Sequence, residues 1–180
     1  MTKQTAETQL PSPAKGLFLG DLRFESMLPF PRVSDAERET LSLVIESIDR
    51  FMSDKEEDFR AYDVKGEQPS DYIDQLKELG LFSLIIPEEH SGLGLSNSGY
   101  SRVLQQTSRY DASTSLTIGA HSSIGMKALL LFGTKEQKER YLPRLATGEL
   151  IAAFCLTEAG AGSDAASVRT HAVRSEEHTS

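Results

Sequence analysis

There is no tryptophan in these 180 residues and only one cysteine, Cys155. A single cysteine excludes an intrachain disulfide, and with it the stapled frameworks of small secreted domains. It sits inside the apolar run Leu150 to Leu156 with nothing cationic beside it, so it reads as a small buried hydrophobe. Long hydrophobic runs are missing too. None approaches the ~18 residues a membrane-crossing helix needs, so no transmembrane segment is expected. Basic charge is scarce: 19 lysines and arginines against 27 acids leave a net charge of −8. That argues against nonspecific nucleic-acid binding, which depends on neutralising phosphates. The first fifteen residues carry Lys3, Glu7 and Lys15 but no arginine. This pattern fits neither a signal peptide nor an Arg-rich presequence. The expected compartment is the cytoplasm, with the mitochondrion as the alternative in a eukaryotic host. His121 and His171 are too isolated to ligate a metal, and no Cys/His cluster exists.

What is present is mostly helical patterning. Residues 1 to 14 are polar with two prolines and read as a lead-in, and Lys15 to Gly20 as a short arm. Arm and lead-in together span 1–33. Ser34-Asp35-Ala36-Glu37 has capping-box spacing, and Leu41, Val44, Ile45, Ile48, Phe51 and Met52 follow as one apolar stripe. Residues 53 to 68 are mainly charged and read as a solvated turn or frayed helix end. Pro69 suits a first helical position, and Gly80 the residue after a helix end. Leu81 to Pro87 reads as extended. Ser96 or Asn97 can cap a third helix. Asp111 can cap a fourth that runs to Phe132, apolar on most sides and so expected to be the most buried. Its Gly119, Ala120, Ser122, Ser123 and Gly125 are small, which suits close helix packing, another backbone or a ligand. Thr134-Lys135-Glu136-Gln137 is a second capping box, and Pro143 can begin a further turn. A helical unit over 34–149 is expected.

At Leu150 the period changes. Leu150 to Leu156 reads as a buried strand, and Val168 to Val173 alternates weakly. Between them lies Thr157-Glu158-Ala159-Gly160-Ala161-Gly162-Ser163-Asp164, a loop whose backbone N–H groups have little side chain in the way. It could be a plain turn between strands. Gly160-Ala161-Gly162-Ser163-Asp164-Ala165 also fits the dinucleotide fingerprint formally. That fingerprint needs a helix at once, and none is patterned here.

A third reading rests on resemblance. Phe154 to Asp164 resembles the flavin-contacting signature of the acyl-CoA dehydrogenases. Upstream, Leu131 to Lys138 with Tyr141-Leu142-Pro143 is similar to the passage before that signature. Leu76 to Phe82, Ile86-Pro87-Glu88 and Gly92-Leu93-Gly94 are similar to an earlier helix-to-loop passage. Lys15 to Leu19 and Ile118 to Gly125 look most like the very-long-chain branch. The resemblance implies a mainly α fold: an N-terminal helical domain, then the first strands of a middle β-domain over 150–174, with the family's C-terminal helical domain absent. It implies FAD-dependent oxidation of acyl-CoA to trans-2-enoyl-CoA in fatty acid β-oxidation. Electrons would pass to an electron-transfer flavoprotein, and the full-length chain would be a dimer or tetramer.

The residues implied at the flavin are Phe154, Cys155, Leu156, Thr157, Gly162 and Ser163, with Ser163 also touching the CoA portion. Gly119 and Ala120 would leave room for the acyl tail. Glu158 is structural in the family, and the proton-abstracting glutamate belongs to the C-terminal domain, so no catalytic residue is expected within these 180. The family's tryptophan-bearing flavin stretch has no counterpart here. Ala159 stands where the family usually has proline. Residues 175–180 do not resemble the family's continuation and are expected to be a non-native tail on a truncated, inactive piece. An acyl-CoA oxidase and a non-enzymatic acyl-CoA-binding helical module are the alternatives.

Overall fold

The computed structural model describes residues 13–21, 23–30 and 32–173. The expected lead-in before residue 13 and the tail from 175 lie outside them. The described residues form eight α-helices: α1 (Pro13–Leu19), α2 (Asp35–Met52), α3 (Glu56–Lys65), α4 (Ser70–Glu78), α5 (Asn97–Tyr110), α6 (Ala112–Ala120), α7 (Lys127–Phe132) and α8 (Lys135–Ala146). The expected arm is α1, and its Leu17, Phe18 and Leu19 stay exposed.

Helix α2 starts where Ser34 predicts, its Oγ accepting the Glu37 N–H at 3.1 Å. The reciprocal half of the expected capping box is not made. Glu37 Oε1 instead accepts the N–H and the Oγ–H of Ser96, each at 2.8 Å. Ser96 is the N-cap of α5, so one carboxylate joins the starts of two helices that pack together. Near their other ends Asp49 accepts from the Tyr110 hydroxyl at 2.7 Å and from the Gln106 amide. The Tyr110 bond holds the Asp49 carboxyl below its usual range.

The charged stretch after α2 is a ten-residue helix, not a frayed end. Phe59 and Tyr62, three apart, turn one face of α3 onto Tyr72 of α4, with ring centroids 5.9 and 5.4 Å away. Gly66 ends α3 in the left-handed region at φ 67°, a conformation that costs glycine little. Pro69 is the N-cap of α4, one position before the expected one.

Leu81 to Pro87 is not extended. It coils through turns closed by Ser83 N–H to the Gly80 carbonyl and Ile86 N–H to the Ser83 carbonyl. Residues 93–95 fold back over it: the N–H groups of Leu93, Gly94 and Leu95 donate to the carbonyls of Ser83, Ile86 and Leu84. These bonds pair the carbonyls of Ser83, Leu84 and Ile86 close by, beneath which Leu81, Phe82, Leu84 and Ile86 are fully buried. Leu81, Phe82 and Leu84 join Ile48, Met52, Leu76 and Ile118 at the centre, and Ile86 packs with Met126, Leu142 and Leu145 in a second cluster.

The expected fourth helix is interrupted. Helix α6 passes into a π-helical turn, His121–Gly125, before α7. Ile118, His121, Ser122 and Met126 are buried, but Leu116, Ile124, Leu131 and Phe132 are exposed. The segment is therefore half-covered and not the most buried one. Helix α8 has its capping box complete, Thr134 N–H to Gln137 Oε1 at 2.9 Å and Gln137 N–H to Thr134 Oγ1 at 3.3 Å. Pro143 lies inside α8 and starts no new turn. No helix of the described residues is long and apolar enough to cross a membrane.

Among the described residues there is no strand, only an isolated bridge between Glu158 and Ala161. Leu150 to Leu156 pairs with nothing in a ladder, and Cys155 is exposed where a buried hydrophobe was expected. A strand exists only through its partner, and a layer is buried only by a second layer. Leu150 and Ala152 pack against the helical core, but among the described residues neither a partner strand nor a second layer stands against residues 153–156.

Candidate functional site

The loop begins from an anchor on the π-helical turn. His121 is completely buried, and its Nδ1 accepts the N–H of Ala152 at 3.0 Å. A backbone N–H can only donate, so Nδ1 carries no proton. Nε2 must carry it, and lies 3.1 Å from the Phe82 carbonyl, which it bonds as donor. The Phe82 ring meets the imidazole edge-on at 5.0 Å between centroids. One neutral tautomer thus satisfies both partners.

One turn further, Gly125 lets the same residue come close. A Cβ on Gly125 would lie 2.6 Å from Ala152 Cβ and 2.8 Å from its carbonyl carbon and oxygen. Of the uses open to these small residues, Gly125 admits another backbone. Gly119 is instead packed inside the helices. It is buried against Tyr100 and Leu104, and its carbonyl accepts from the Tyr100 hydroxyl at 3.1 Å. Ala120 is half-buried.

Burial pushes the His121 pKa below its ordinary value, against the opposing pull of the Phe82 and Leu145 carbonyls. The folded chain therefore disfavours the proton that the unfolded chain accepts near pH 6.5. The stability held by the neutral ring is complete above that pH and is lost as pH falls through the lowered folded value. Carboxylates held low, such as Asp49 and Glu158, lose theirs only in more acid solution. Denaturant midpoints should therefore fall as pH drops from 7 towards 5, and His121→Gln should flatten that slope. An unchanged slope in the variant would assign it to other groups.

Beyond the anchor, Phe154, Cys155, Leu156 and Thr157 are all exposed, Phe154 by 56% and Leu156 by 43%. No backbone group of residues 153–157 bonds another described residue. The run presents donors, acceptors and apolar side chains together, as the edge of a flat, partly polar ring system would require. Gly162 and Ser163 are exposed on the same loop. A Cβ on Gly160 would meet nothing within 4 Å, and one on Gly162 only Thr157 Cγ2 at 3.8 Å. Neither residue has a positive φ. Nothing inside this chain demands glycine at either place, and the space beside Thr157 is open. These features fit a flavin contact.

Glu158 closes the loop from behind. Its two carboxylate oxygens accept the N–H groups of Arg169 and Thr170 at 3.0 and 2.7 Å. Those bonds stand where a strand ladder over 168–173 was expected, and they hold the carboxyl below its usual range. An anion with both oxygens committed is a poor proton acceptor, so the geometry makes Glu158 a clasp. Glu158→Ala should speed hydrogen exchange at the Arg169 and Thr170 amides several-fold while leaving that of α2 and α5 unchanged. Equal exchange in both proteins would show that the clasp does not form. After Asp164 comes only the 3-10 turn Ala165–Ser167, so the helix that the dinucleotide fingerprint needs is absent.

Reading along the sequence picked out the loop but missed its anchor. His121 and Ala152 are 31 residues apart, and their one local signal was the small residue at Gly125. Among the described residues no group of His, Cys, Asp and Glu is placed to hold a metal ion.

Known proteins show the same arrangement of sequence. The family profile "Acyl-CoA dehydrogenase, N-terminal domain" matches residues 38–149. The human very long-chain specific acyl-CoA dehydrogenase, mitochondrial, is 42% identical over 174 residues, 96% of this chain and 26% of that protein. The chain thus spans about a quarter of the length of the curated relatives it matches. Among solved structures, an acyl-CoA dehydrogenase from Bacillus anthracis complexed with FAD superposes with a TM-score of 0.60 at 33% identity, over 72% of this chain and 22% of the other. A chain from the electron transferring flavoprotein structure of Acidaminococcus fermentans superposes with a TM-score of 0.70 at 30% identity, over 83% and 38%.

Proposed function

This chain belongs to the acyl-CoA dehydrogenase family, and we propose on that premise that it forms part of the flavin site of an FAD-dependent acyl-CoA dehydrogenase of fatty acid β-oxidation. The observation that carries the reading is the unpaired, exposed run Phe154–Thr157 ending in a loop with open space beside Gly162. Phe154, Cys155, Leu156 and Thr157 would hold the cofactor's ring system through their backbone groups and the Thr157 hydroxyl. Gly162 and Ser163 would let its phosphates approach, with Ser163 also reaching the acyl-CoA. When bound, FAD supplies the two-electron oxidation of the substrate, and the protein supplies position and electrostatics.

The residues of this chain orient and enclose. The clasped carboxylate of Glu158 fixes the loop, and no residue among the 180 is assigned the proton abstraction, which falls to the family's C-terminal domain. The helical unit 34–149 forms the wall on which the loop is mounted, and Ala120, half-buried on α6, lies on the side we assign to the acyl tail, with Gly119 spacing α6 from α5. Electrons would leave to an electron-transfer flavoprotein, and the full-length protein would be a dimer or tetramer. It would work in the cytoplasm of a bacterium or the mitochondrion of a eukaryote.

The test uses the full-length gene product. It should purify with a visible flavin band that acyl-CoA bleaches in the absence of oxygen. Rapid return of the band in air would favour an oxidase. A colourless protein that binds acyl-CoA would overturn the reading in favour of a binding module. The 180-residue chain alone should retain little FAD.

A further inference from the structure

We propose that His121 is a positioning residue for the flavin-facing run, its unprotonated Nδ1 gripping the Ala152 N–H while its Nε2–H is fixed on the Phe82 carbonyl. The proposal rests on the reading of Phe154–Thr157 as a flavin contact.

Three observations converge on one point. The run has no backbone bond of its own from residue 153 to residue 157 among the described residues, so its course is set where it leaves the helices. There it is held by two contacts. Leu150 donates to the Arg144 carbonyl at 3.1 Å, and Ala152 donates to His121 at 3.0 Å. The second lies two residues from Phe154, the first residue of the run. Gly125 brings the π-helical turn within van der Waals reach of the same Ala152, so that bond has a seat as well as an acceptor.

The imidazole is itself held on several sides. It is fully buried, stacked edge-on by Phe82, and tied at Nε2 to a carbonyl inside the buried turn 81–87. Phe82 belongs to the main core with Ile48 and Leu76. The chain of contact therefore runs from the core, through Phe82 and His121, to Ala152 and on to the loop. The π-helical turn has a role here. Widening the helix by one residue over His121–Gly125 sets His121 and Gly125 to face the same neighbour. The lowered basicity of the buried ring agrees with a residue that acts as an acceptor at Nδ1 and not as a proton carrier.

The two bonds are separable by substitution. In His121→Asn the side-chain oxygen falls near the Nδ1 position and can accept from Ala152, whereas the tie to Phe82 is lost. In His121→Gln the amide nitrogen falls near Nε2 and can donate to Phe82, whereas the grip on Ala152 is lost. Both variants, with His121→Ala, are to be made in the full-length protein. Hydrogen exchange would be followed over peptides 150–157 and 83–95, together with the dissociation constant for FAD.

The proposal expects His121→Gln and His121→Ala to raise exchange over 150–157 and to weaken FAD about tenfold, with His121→Asn close to the parent. Exchange over 83–95 reports on the fold and should stay low in Gln. Unchanged exchange over 150–157 in the Gln and Ala variants overturns the grip. Rising exchange with FAD affinity unchanged overturns the reading of the run as a flavin contact, and the positioning role with it. A Gln variant that behaves like the parent while Asn fails reverses the assignment of the two nitrogens and also overturns the proposal.

Discussion

Replacing Gly92 by alanine should destabilise the chain by about 3 kcal/mol, at the upper end of what overpacking a core costs. A Cβ at this position would lie 1.9 Å from the Ile86 carbonyl oxygen, 2.4 Å from its carbon and 2.5 Å from the Ile86 Cβ. All three atoms belong to a residue that is completely buried. The Ile86 carbonyl cannot swing aside, because it accepts the Gly94 N–H at 2.8 Å, and the flanking N–H groups of Leu93 and Leu95 hold the same fold-back. Relief would require parting residues 83–86 from residues 92–95, which exposes Phe82 and Leu84.

The control is Gly94. Its φ of 60° strains an alanine, but the nearest atom to its Cβ would be 3.8 Å away. Conformational strain without crowding costs about 1 kcal/mol. Chemical denaturation of the two variants beside the parent measures the difference directly. Equal losses would mean that crowding against Ile86 is not what requires glycine at residue 92.

The contrast between these two glycines also explains what could be read along the chain. Local signals were dependable where cause and effect lie within one turn. Thr134 and Gln137 satisfy each other's orphan donors, and Gly80 takes the left-handed position after a helix. They misled where a distant partner competes. Glu37 has capping-box spacing from Ser34, yet its carboxylate goes to Ser96, 59 residues away, because two donors converge there. Charge concealed α3, since only Phe59 and Tyr62 mark its buried face. Leu81 to Pro87 has the composition of a strand, and the decision to coil comes from the residues that return over it.

At the site the division is the same. The order of residues from Phe154 to Asp164 is legible without any coordinates. Which residues hold that run in place is not, because the anchor is made by His121, Gly125 and Phe82, each remote in sequence. Apolar composition at Leu150 to Leu156 indicated burial, but burial needs a covering layer. Phe154 and Cys155 are exposed for lack of one among the described residues.

Gly125→Ala should separate the stability of the helical wall from the placement of the loop. In a helical turn an alanine is favoured over glycine by up to about 1 kcal/mol. Here its methyl would stand 2.6 Å from Ala152 Cβ and 2.8 Å from the Ala152 carbonyl group. The conflict differs in kind from that at Gly92. Ala152 is only half-buried and opens a segment with no backbone partners from 153 to 157, so it is free to retreat. The helices then keep their packing, while Ala152 is pushed off the His121 Nδ1 and the run Phe154–Thr157 shifts with it. In the full-length protein the variant should denature within about 1 kcal/mol of the parent, since the propensity gain offsets the lost bond. It should nevertheless bind FAD at least tenfold more weakly, and exchange over 150–157 should rise. A loss of several kcal/mol with flavin affinity unchanged would show that Ala152 cannot move and that Gly125 serves packing alone. The two observables are expected to move in opposite proportion at Gly92 and Gly125, because the backbone facing the first is locked by the returning residues 93–95 and the backbone facing the second is held by a single histidine.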